Sequence, residues 1–438
     1  MYVGLISLGC AKNRVDSEEV LSFFARNDFQ IVSDPNLADI LVVNTCGFIE
    51  QAKNEAIETI FDTLKYHKFT VVIGCLVERY YSQLVEEIPE VDLFVPIREY
   101  KNFGKLLNEA ISKKKQEGKL DASFGGELEL TKRIYSTPSY QAYLQISDGC
   151  NNCCTYCAIP LIRGGFRSYP LEELKITLDD LEKKGIKEVV VISQDTTRYG
   201  SDLVGQNINI CTLLKEVLKH ECFEFVRLLY LYPDEITDEL IDLFRDNPRL
   251  TPYFDVPIQH SEDRVLKLMN RRGSKEDLIN LFRKIREKVP HAILRTTLIV
   301  GFPHEKREDV INLDNFIREI KFDHLGVFKY SREEDTKSYS FDEQVSEREK
   351  TVRYNKIMKT QAQISYKLNQ KRIGEVIDVL ITEFDEDNYC YSGVCYLFAP
   401  DDIDGKLYVY SKDELEIGKT YKAKIINADI YDLDAEII

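Results

Sequence analysis

Four of the chain's eleven cysteines crowd into one stretch, Ser147-Asp148-Gly149-Cys150-Asn151-Asn152-Cys153-Cys154-Thr155-Tyr156-Cys157. Cys150, Cys154 and Cys157 form a CxxxCxxC arc, short enough to wrap one iron–sulfur cubane from a single loop. A cubane ordinarily takes four thiolates, one per iron. Three leave one iron open, as a catalytic zinc site keeps a position free for its reactant. The same stretch also spells CxxCxxxC through Cys150, Cys153 and Cys157. A zinc knot would want a fourth Cys or His nearby, and the nearest histidine, His220, is far along the chain. A set of inert buried thiols is the other plain reading.

An open iron is what radical-SAM chemistry needs, because it can chelate the amino and carboxylate groups of S-adenosylmethionine (SAM) and pass on the electron that cleaves the sulfonium. Cys154 is preferred to Cys153 as the middle ligand because it gives the radical-SAM spacing, and the aromatic Tyr156 before the last cysteine agrees with it.

Three further cysteines are dispersed but occupy one kind of place. Cys10, Cys46 and Cys75 each follow an apolar run, in Leu8-Gly9-Cys10, Asn44-Thr45-Cys46 and Ile73-Gly74-Cys75. If those runs are parallel strands, their C-terminal ends share one edge, where open α/β folds bind ligands. The three thiols would then converge on a second cluster, again with one iron open. A lone cysteine after a strand is ordinarily a small buried hydrophobe, a reading that weakens for three in the same topological position. Gly9, Gly47 and Gly74 would let the backbone turn tightly around a bulky cofactor.

The elements that must position these thiols are legible from periodicity. Residues 2–8, 39–44 and 69–73 read as buried strands and 17–29 and 50–66 as helices, which predicts a parallel sheet covered on both faces. Residues 112–135, with Lys113-Lys114-Lys115 and Gly125-Gly126, read as a linker. Six candidate strands follow, at 142–146, 188–193, 225–230, 253–256, 293–300 and 324–330, separated by helical segments such as 171–184, 212–219 and 274–288. They predict a full or partial TIM-type (β/α) barrel with its chemistry at the C-terminal strand ends; an open doubly wound sheet is the alternative. A long polar helix over 346–369 leads to a tail rich in Val, Ile, Tyr and turn residues, which predicts a small antiparallel β-barrel of about five strands, OB-like in size. The expected fold class is thus α/β with three domains, over 1–115, 136–368 and 370–438.

Bulk properties narrow the setting. A chain of 438 residues exceeds one ordinary core. Apolar and charged fractions of 44% and 30% suit a soluble globular protein. No apolar run approaches the roughly 18 residues of a membrane span. The start, Met1-Tyr2-Val3-Gly4-Leu5-Ile6, lacks the basic region and cleavage site of a secretory signal. A cytoplasmic location is expected, and in a reducing compartment such cysteine usage points to metal binding or catalysis. The net charge of −16 disfavours unassisted nucleic-acid binding and favours a basic partner. From residue 372 onward sixteen Asp and Glu stand against six Lys and Arg, so that ten of the sixteen net negative charges lie there.

With these residues in view, the chain resembles the methylthiotransferases over essentially its whole length. The resemblance rests on Leu8-Gly9-Cys10-Ala11-Lys12-Asn13, Asn44-Thr45-Cys46-Gly47-Phe48-Ile49, Gly74-Cys75-Leu76, the cysteine loop, and Ala158-Ile159-Pro160 with Arg163-Gly164. Within that family it is similar to the branch that modifies an aspartate of the S-twelve protein of the small ribosomal subunit. The pointers are Cys46-Gly47-Phe48-Ile49, Ser193-Gln194-Asp195-Thr196-Thr197, Leu229-Tyr230-Leu231-Tyr232-Pro233 and Asp255-Val256-Pro257-Ile258-Gln259-His260. It departs from the family pattern at Ala11, Tyr169 and the stretch Gly301-Phe302-Pro303-His304-Glu305-Lys306, none of them a cysteine.

The resemblance implies a three-cysteine N-terminal domain, a radical-SAM barrel and a C-terminal TRAM domain. It implies two 4Fe-4S clusters, on Cys10, Cys46 and Cys75 and on Cys150, Cys154 and Cys157. SAM would serve both as methyl donor and as source of the radical that takes hydrogen from the aspartate β-carbon, which then captures a methylthio group. An ordinary general base could not deprotonate that unactivated carbon at useful rates. Gln194 and Arg295, at the second and fifth barrel strands, are candidate SAM contacts; a polar cap and a salt bridge are their plain structural readings. No catalytic residue is expected beyond the cluster ligands. A basic ribosomal protein, free or on the small subunit, is the expected substrate, and a flavodoxin or ferredoxin the expected reductant. The competing readings are methylthiolation of a tRNA adenosine, which would require a basic surface, and a non-catalytic iron–sulfur electron carrier.

Overall fold

A computed structural model describes residues 1–115, 123–129 and 131–438. Its first sheet contains β1 (Tyr2–Ser7), β2 (Gln30–Ile31), β3 (Ile40–Thr45), β4 (Phe69–Gly74) and β5 (Leu93–Val95). Around it lie α1 (Ala11–Arg26), α2 (Glu50–Leu64), α3 (Cys75–Glu87) and α4 (Phe103–Lys115). Every ladder is parallel, in the order β2-β1-β3-β4-β5. β3 and β4 are buried at every residue, as a parallel sheet covered on both faces requires. The two edge strands were not expected from the sequence; at two and three residues they are too short to show a period. α1 starts directly after Cys10 rather than at 17, and α4 carries the chain to Lys115, into the segment expected as linker. Residues 116–122 and 130 of that linker lie outside the described residues.

The second region contains β6 (Gln141–Gln145), a short pair β7 (Ser147–Asp148) and β8 (Arg167–Ser168), then β9 (Glu188–Ile192), β10 (Phe225–Leu228), β11 (Tyr253–Asp255), β12 (Ile293–Val300) and β13 (His324–Lys329). Helices α5 (Ile159–Arg163), α6 (Leu171–Lys183), α7 (Ile210–Val217), α8 (Asp238–Asp246), α9 (Asp263–Leu268), α10 (Lys275–Lys288) and α11 (Arg307–Ile320) connect them. Apart from the β7–β8 pair, the six strands form two parallel triplets, β10-β9-β6 and β11-β12-β13. The triplets join through Leu231 N–H to Asp255 O (2.9 Å) and Thr251 N–H to Val226 O (2.8 Å). Strand order follows chain order without reversal, so the arrangement is a partial barrel rather than a doubly wound sheet.

α12 (Glu347–Lys371), whose first turn is capped by the Ser346 hydroxyl accepting from Glu349 N, leads to the last domain. There β14 (Val376–Asp385), β15 (Cys390–Val394), β16 (Leu407–Tyr410), β17 (Thr420–Ala428) and β18 (Leu433–Ile437) close into a barrel in the order β14-β15-β16-β18-β17. It is antiparallel except between β16 and β18; an odd number of strands cannot close with every neighbour antiparallel.

The two barrels share a core. Ala142, Leu144, Val189 and Val191 pack outward against the helices. Their alternates Tyr143, Val190 and Ile192, with Tyr253 and Ile293, pack with Ile377, Leu397 and Phe398 of the C-terminal domain, as period-two side-chain alternation dictates. The C-terminal domain thereby fills the lumen of the partial barrel. Arg227 is wholly buried in that joint, with Glu188 at 3.1 Å and the Cys395 carbonyl at 3.0 Å.

Candidate functional site

The first trio of thiols follows from strand order. β1, β3 and β4 are consecutive neighbours, and roughly 4.8 Å separates adjacent strands. Cys10 comes after β1 as the N-cap of α1, Cys46 directly after β3, and Cys75 opens α3 directly after β4. Gly9 takes φ +94° before Cys10, in the left-handed region open to glycine. At Gly47 a Cβ would stand 2.7 Å from the Leu76 backbone, so only glycine lets the turn after β3 lie against the start of α3. The thiols of Cys10 and Cys75 both reach Asn13 Oδ1, at 3.8 and 3.6 Å. Asn13 Nδ2 in turn donates to the carbonyls of Leu8 and Thr45, each at 3.0 Å. One amide thus ties the ends of two strands together beneath the thiols.

The second trio sits on the loop after β6. Cys150 N–H donates to Gly164 O (3.2 Å) and Cys157 N–H to Cys154 O (3.0 Å). Backbone N–H groups of Asn152 and Ile159 point at the thiols of Cys150 and Cys157, each at 3.5 Å. Tyr232 Oη lies 3.9 Å and Arg271 Nη1 4.0 Å from Cys154 Sγ, and the Arg271 guanidinium lies 4.2 Å from the Tyr232 ring centroid. Cys153 has φ +52° and is exposed.

Both trios line one cavity of about 350 Å³, together with Lys12, Asn13, Arg163, Gln194, Tyr230 and Tyr232; Cys153 does not. The barrel loop and the N-terminal sheet therefore face each other. Arg163, from α5, pairs with Asp16 of α1 at 2.6 Å and reaches Cys75 Sγ at 3.9 Å. Lys12 Nζ donates to Ser147 O across the same seam, at 3.1 Å.

Electrostatics mark the cavity as a desolvated place. Burial pushes the Cys75 and Cys157 thiols up to about 12 and raises those of Cys46 and Cys150. Burial pulls Lys12 down to about 8, against the pull of the Asp148 carboxylate. Thiols raised in this way bind metal by releasing protons, with Arg163 and Arg271 as the cations facing the resulting charge.

The donor set fits cubanes better than single ions. Zinc holds its thiolates at about 2.3 Å, which brings the sulfurs close together. Among the described residues, in neither cysteine trio do all three sulfurs lie within 4.8 Å of one another. Three soft thiolates spread around a pocket, with none opposite, is what a cluster with an exposed iron requires.

The two expected SAM contacts are placed differently. Gln194 lines the cavity; its Nε2 donates to Asp148 Oδ1 (3.2 Å), while its Oε1 is buried without a partner. That orphan acceptor suits an ammonium donor. Arg295 is the third residue of β12, near the strand's N-terminal end, where it pairs with Asp255 (2.8 Å) and Asp404 (3.1 Å) at the joint with the C-terminal barrel. The structure does not bring it to the cavity lining: Asp255 also accepts from Tyr230 N–H at 2.9 Å, which leaves Arg295 one layer behind. Glu305 is likewise occupied, buried between His260 and Arg353. Sequence reasoning did not single out Lys12, Asn13, Arg163, Tyr232 or Arg271. The first four lie inside or beside the motifs quoted above, but nothing in their spacing announces that they meet.

Comparison with known proteins covers the three regions in turn. The chain matches an uncharacterized protein family, UPF0004, over residues 2–96, the Radical SAM superfamily over 144–317 and the TRAM domain over 373–438. It is 45% identical over 440 residues to the ribosomal protein uS12 methylthiotransferase RimO of Clostridium kluyveri, covering 99% of this chain and 97% of that one. It is 43% identical over 443 residues to the protein of the same name from Clostridioides difficile, covering 100% and 99%. Among solved structures, the radical S-adenosylmethionine methyltransferase TsrM from Kitasatospora setae, with cobalamin and a [4Fe-4S] cluster bound, superposes with a TM-score of 0.54 at 14% identity, covering 85% of this chain and 78% of that one. That likeness is one of fold alone.

Proposed function

The chain belongs to the ribosomal protein uS12 methylthiotransferase family, and on that premise we propose that it inserts a methylthio group at the β-carbon of an aspartate of uS12. The observation that carries the reading is that thiols from two separate domains line a single cavity. A transfer that joins sulfur chemistry to radical chemistry needs its two centres in one enclosure.

Cys10, Cys46 and Cys75 hold one 4Fe-4S cluster and Cys150, Cys154 and Cys157 the other. With SAM they supply the methylthio group and the hydrogen-abstracting radical when bound. The chain's own residues do the rest. Asn13 fixes the spacing of the first thiol set through its two carbonyl bonds. Arg163 and Lys12 hold the barrel loop against α1, and so set the separation of the two centres. Gln194 offers its free carbonyl to the amino group of SAM. The apolar faces of Ile159, Ile162 and Leu231 keep water from a reactive intermediate. The three working units are residues 1–115, 136–368 and 370–438.

The acidic C-terminal barrel gives a basic ribosomal protein a complementary surface. Glu383, Glu386 and Asp387 on its first hairpin and Asp413, Glu414 and Glu416 near the third strand are exposed. The same charge argues against tRNA as substrate. No helix among the described residues is long and apolar enough to cross a membrane, and the enzyme works in the cytoplasm with a flavodoxin- or ferredoxin-type reductant.

The test is anaerobic incubation of the reconstituted enzyme with SAM, reductant, uS12 and tRNA together, followed by mass spectrometry. A methylthio adduct on a uS12 aspartate is the expected product. A modified adenosine would keep the two-cluster chemistry and overturn the substrate.

A further inference from the structure

A second hollow, of about 660 Å³, opens on the other side of the cysteine loop. Thr155 lines it, whereas its neighbours Cys154 and Tyr156 line the cysteine cavity. The loop is therefore the wall between the two. Backbone bonds fasten the hollow's rim to that wall: Thr155 N–H donates to Met269 O (3.0 Å), and Ser338 N–H donates to Thr155 O (2.8 Å).

The rim is basic in a chain that is strongly acidic overall. Arg264 and Lys267 come from α9, Lys306 from the N-cap of α11, and Lys337 from the turn after β13; all four are exposed. Arg264 is paired with Asp309. The ammonium groups of Lys267, Lys306 and Lys337 have no carboxylate within 4.0 Å among the described residues. The hollow's one acid, Glu343, is taken by His304 at 3.1 Å. A single solvated lysine means nothing. Three unpaired ones from three separate elements, converging in a chain with 74 acidic residues against 58 basic ones, form a surface kept positive.

We propose that this hollow is the docking surface for an acidic one-electron carrier protein that reduces the barrel cluster, a proposal that rests on the radical-SAM reading above. SAM and the substrate occupy the cavity side of the loop, so a carrier must approach from the opposite side, where the wall is one loop thick. One electron leaves the carrier, which is oxidised, and enters the cluster, which is reduced; no bond forms or breaks at the docking surface. A carrier must arrive and leave at each turnover, which favours a small interface steered by charge over a large apolar one. A nucleic-acid contact would want a longer basic track along a phosphate backbone than a rim around one hollow.

The test uses the full-length protein with both clusters and a triple variant, Lys267→Glu, Lys306→Glu and Lys337→Glu. None of the three makes an ion pair, so thermal unfolding should be unchanged. With reduced flavodoxin at low salt, formation of 5′-deoxyadenosine should fall about tenfold or more, and the dissociation constant for oxidised flavodoxin, read from flavin fluorescence, should rise by a similar factor. With dithionite as reductant the two proteins should be equal. Equal flavodoxin-driven rates would overturn the proposal. So would unchanged flavodoxin binding joined to lost retention on small ribosomal subunits, which would make the rim an RNA contact. A wild-type protein unable to cleave SAM even with dithionite would instead remove the radical-SAM reading on which the proposal rests.

Discussion

Arg163 of the barrel and Asp16 of α1 form a two-pronged ion pair, at 2.6 and 3.2 Å, with side chains only 3% and 8% exposed. The pair crosses the seam between the domains that carry the two cysteine trios, and the same guanidinium reaches Cys75 Sγ. Burial raises the Asp16 carboxyl, and the Arg163 charge opposes that rise. Removing one partner leaves the other charge buried and alone. Arg163→Ala should therefore cost about 3–5 kcal/mol, read as an earlier denaturant midpoint, and should loosen the N-terminal cluster. Arg163→Lys, which keeps the charge but loses the fork, should fall between. A midpoint for Arg163→Ala within error of wild type would remove the seam role.

The cysteine loop offers a sharper contrast. Cys153 and Cys154 are adjacent, yet only Cys154 lines the cavity, because the left-handed backbone at Cys153 sends its side chain outward to solvent. Cys154→Ala should lower bound iron from about eight to about four atoms per chain and abolish SAM cleavage while the N-terminal cluster persists. Cys153→Ala should keep both clusters and full cleavage. Iron analysis with electron paramagnetic resonance of each variant distinguishes them, and the reverse pattern would make Cys153 the ligand.

The fold and the thiols were legible in the sequence for definite physical reasons. Buried parallel strands such as β3 and β4 are continuous apolar runs, and a cysteine directly after each of three runs has a fixed place once the sheet is parallel. The C-terminal barrel announced itself by turn spacing and charge. The seam did not. Asn13, Lys12 and Arg163 act across 31 to 150 residues of chain, and no local period encodes such a meeting. Arg295 shows the converse: a cation on a barrel strand suggests a ligand contact, but its height along the strand decides, and near the N-terminal end its partners are Asp255 and Asp404.

Glu19 gives the seam a pH signature. Burial, reinforced by the Asp16 carboxylate, pushes its carboxyl from 4.5 up to about 8. A group raised on folding stabilises fully below its unfolded value and loses that contribution as pH climbs toward the folded one. Between pH about 4.5 and 8 the folded chain thus pays to keep Glu19 protonated. Glu19→Gln should flatten that part of the stability curve, so the variant gains on wild type steadily from pH 5 to 8. Thermal midpoints of both proteins across that range test this; a constant difference would mean that Glu19 is ionised in the fold.

Gln194 and Arg295 should separate cleanly as variants. Gln194 has a buried carbonyl with no partner in the cavity, so Gln194→Ala should weaken SAM binding by about tenfold, the value of one hydrogen bond to a charged group, with unfolding little changed. Arg295→Met removes the cation between Asp255 and Asp404, whose side chains are 1% and 5% exposed. It should leave SAM affinity within about twofold yet cost about 3–5 kcal/mol through the two stranded carboxylates. The loss should appear where the C-terminal barrel seats, because Asp404 also accepts from Tyr253 Oη and Ala399 N–H there. Equilibrium dialysis with labelled SAM and denaturant unfolding, run on both variants, give the four numbers needed. Weaker SAM binding in Arg295→Met than in Gln194→Ala would move the cofactor site toward the lumen and put Gln194 back to capping the loop through Asp148.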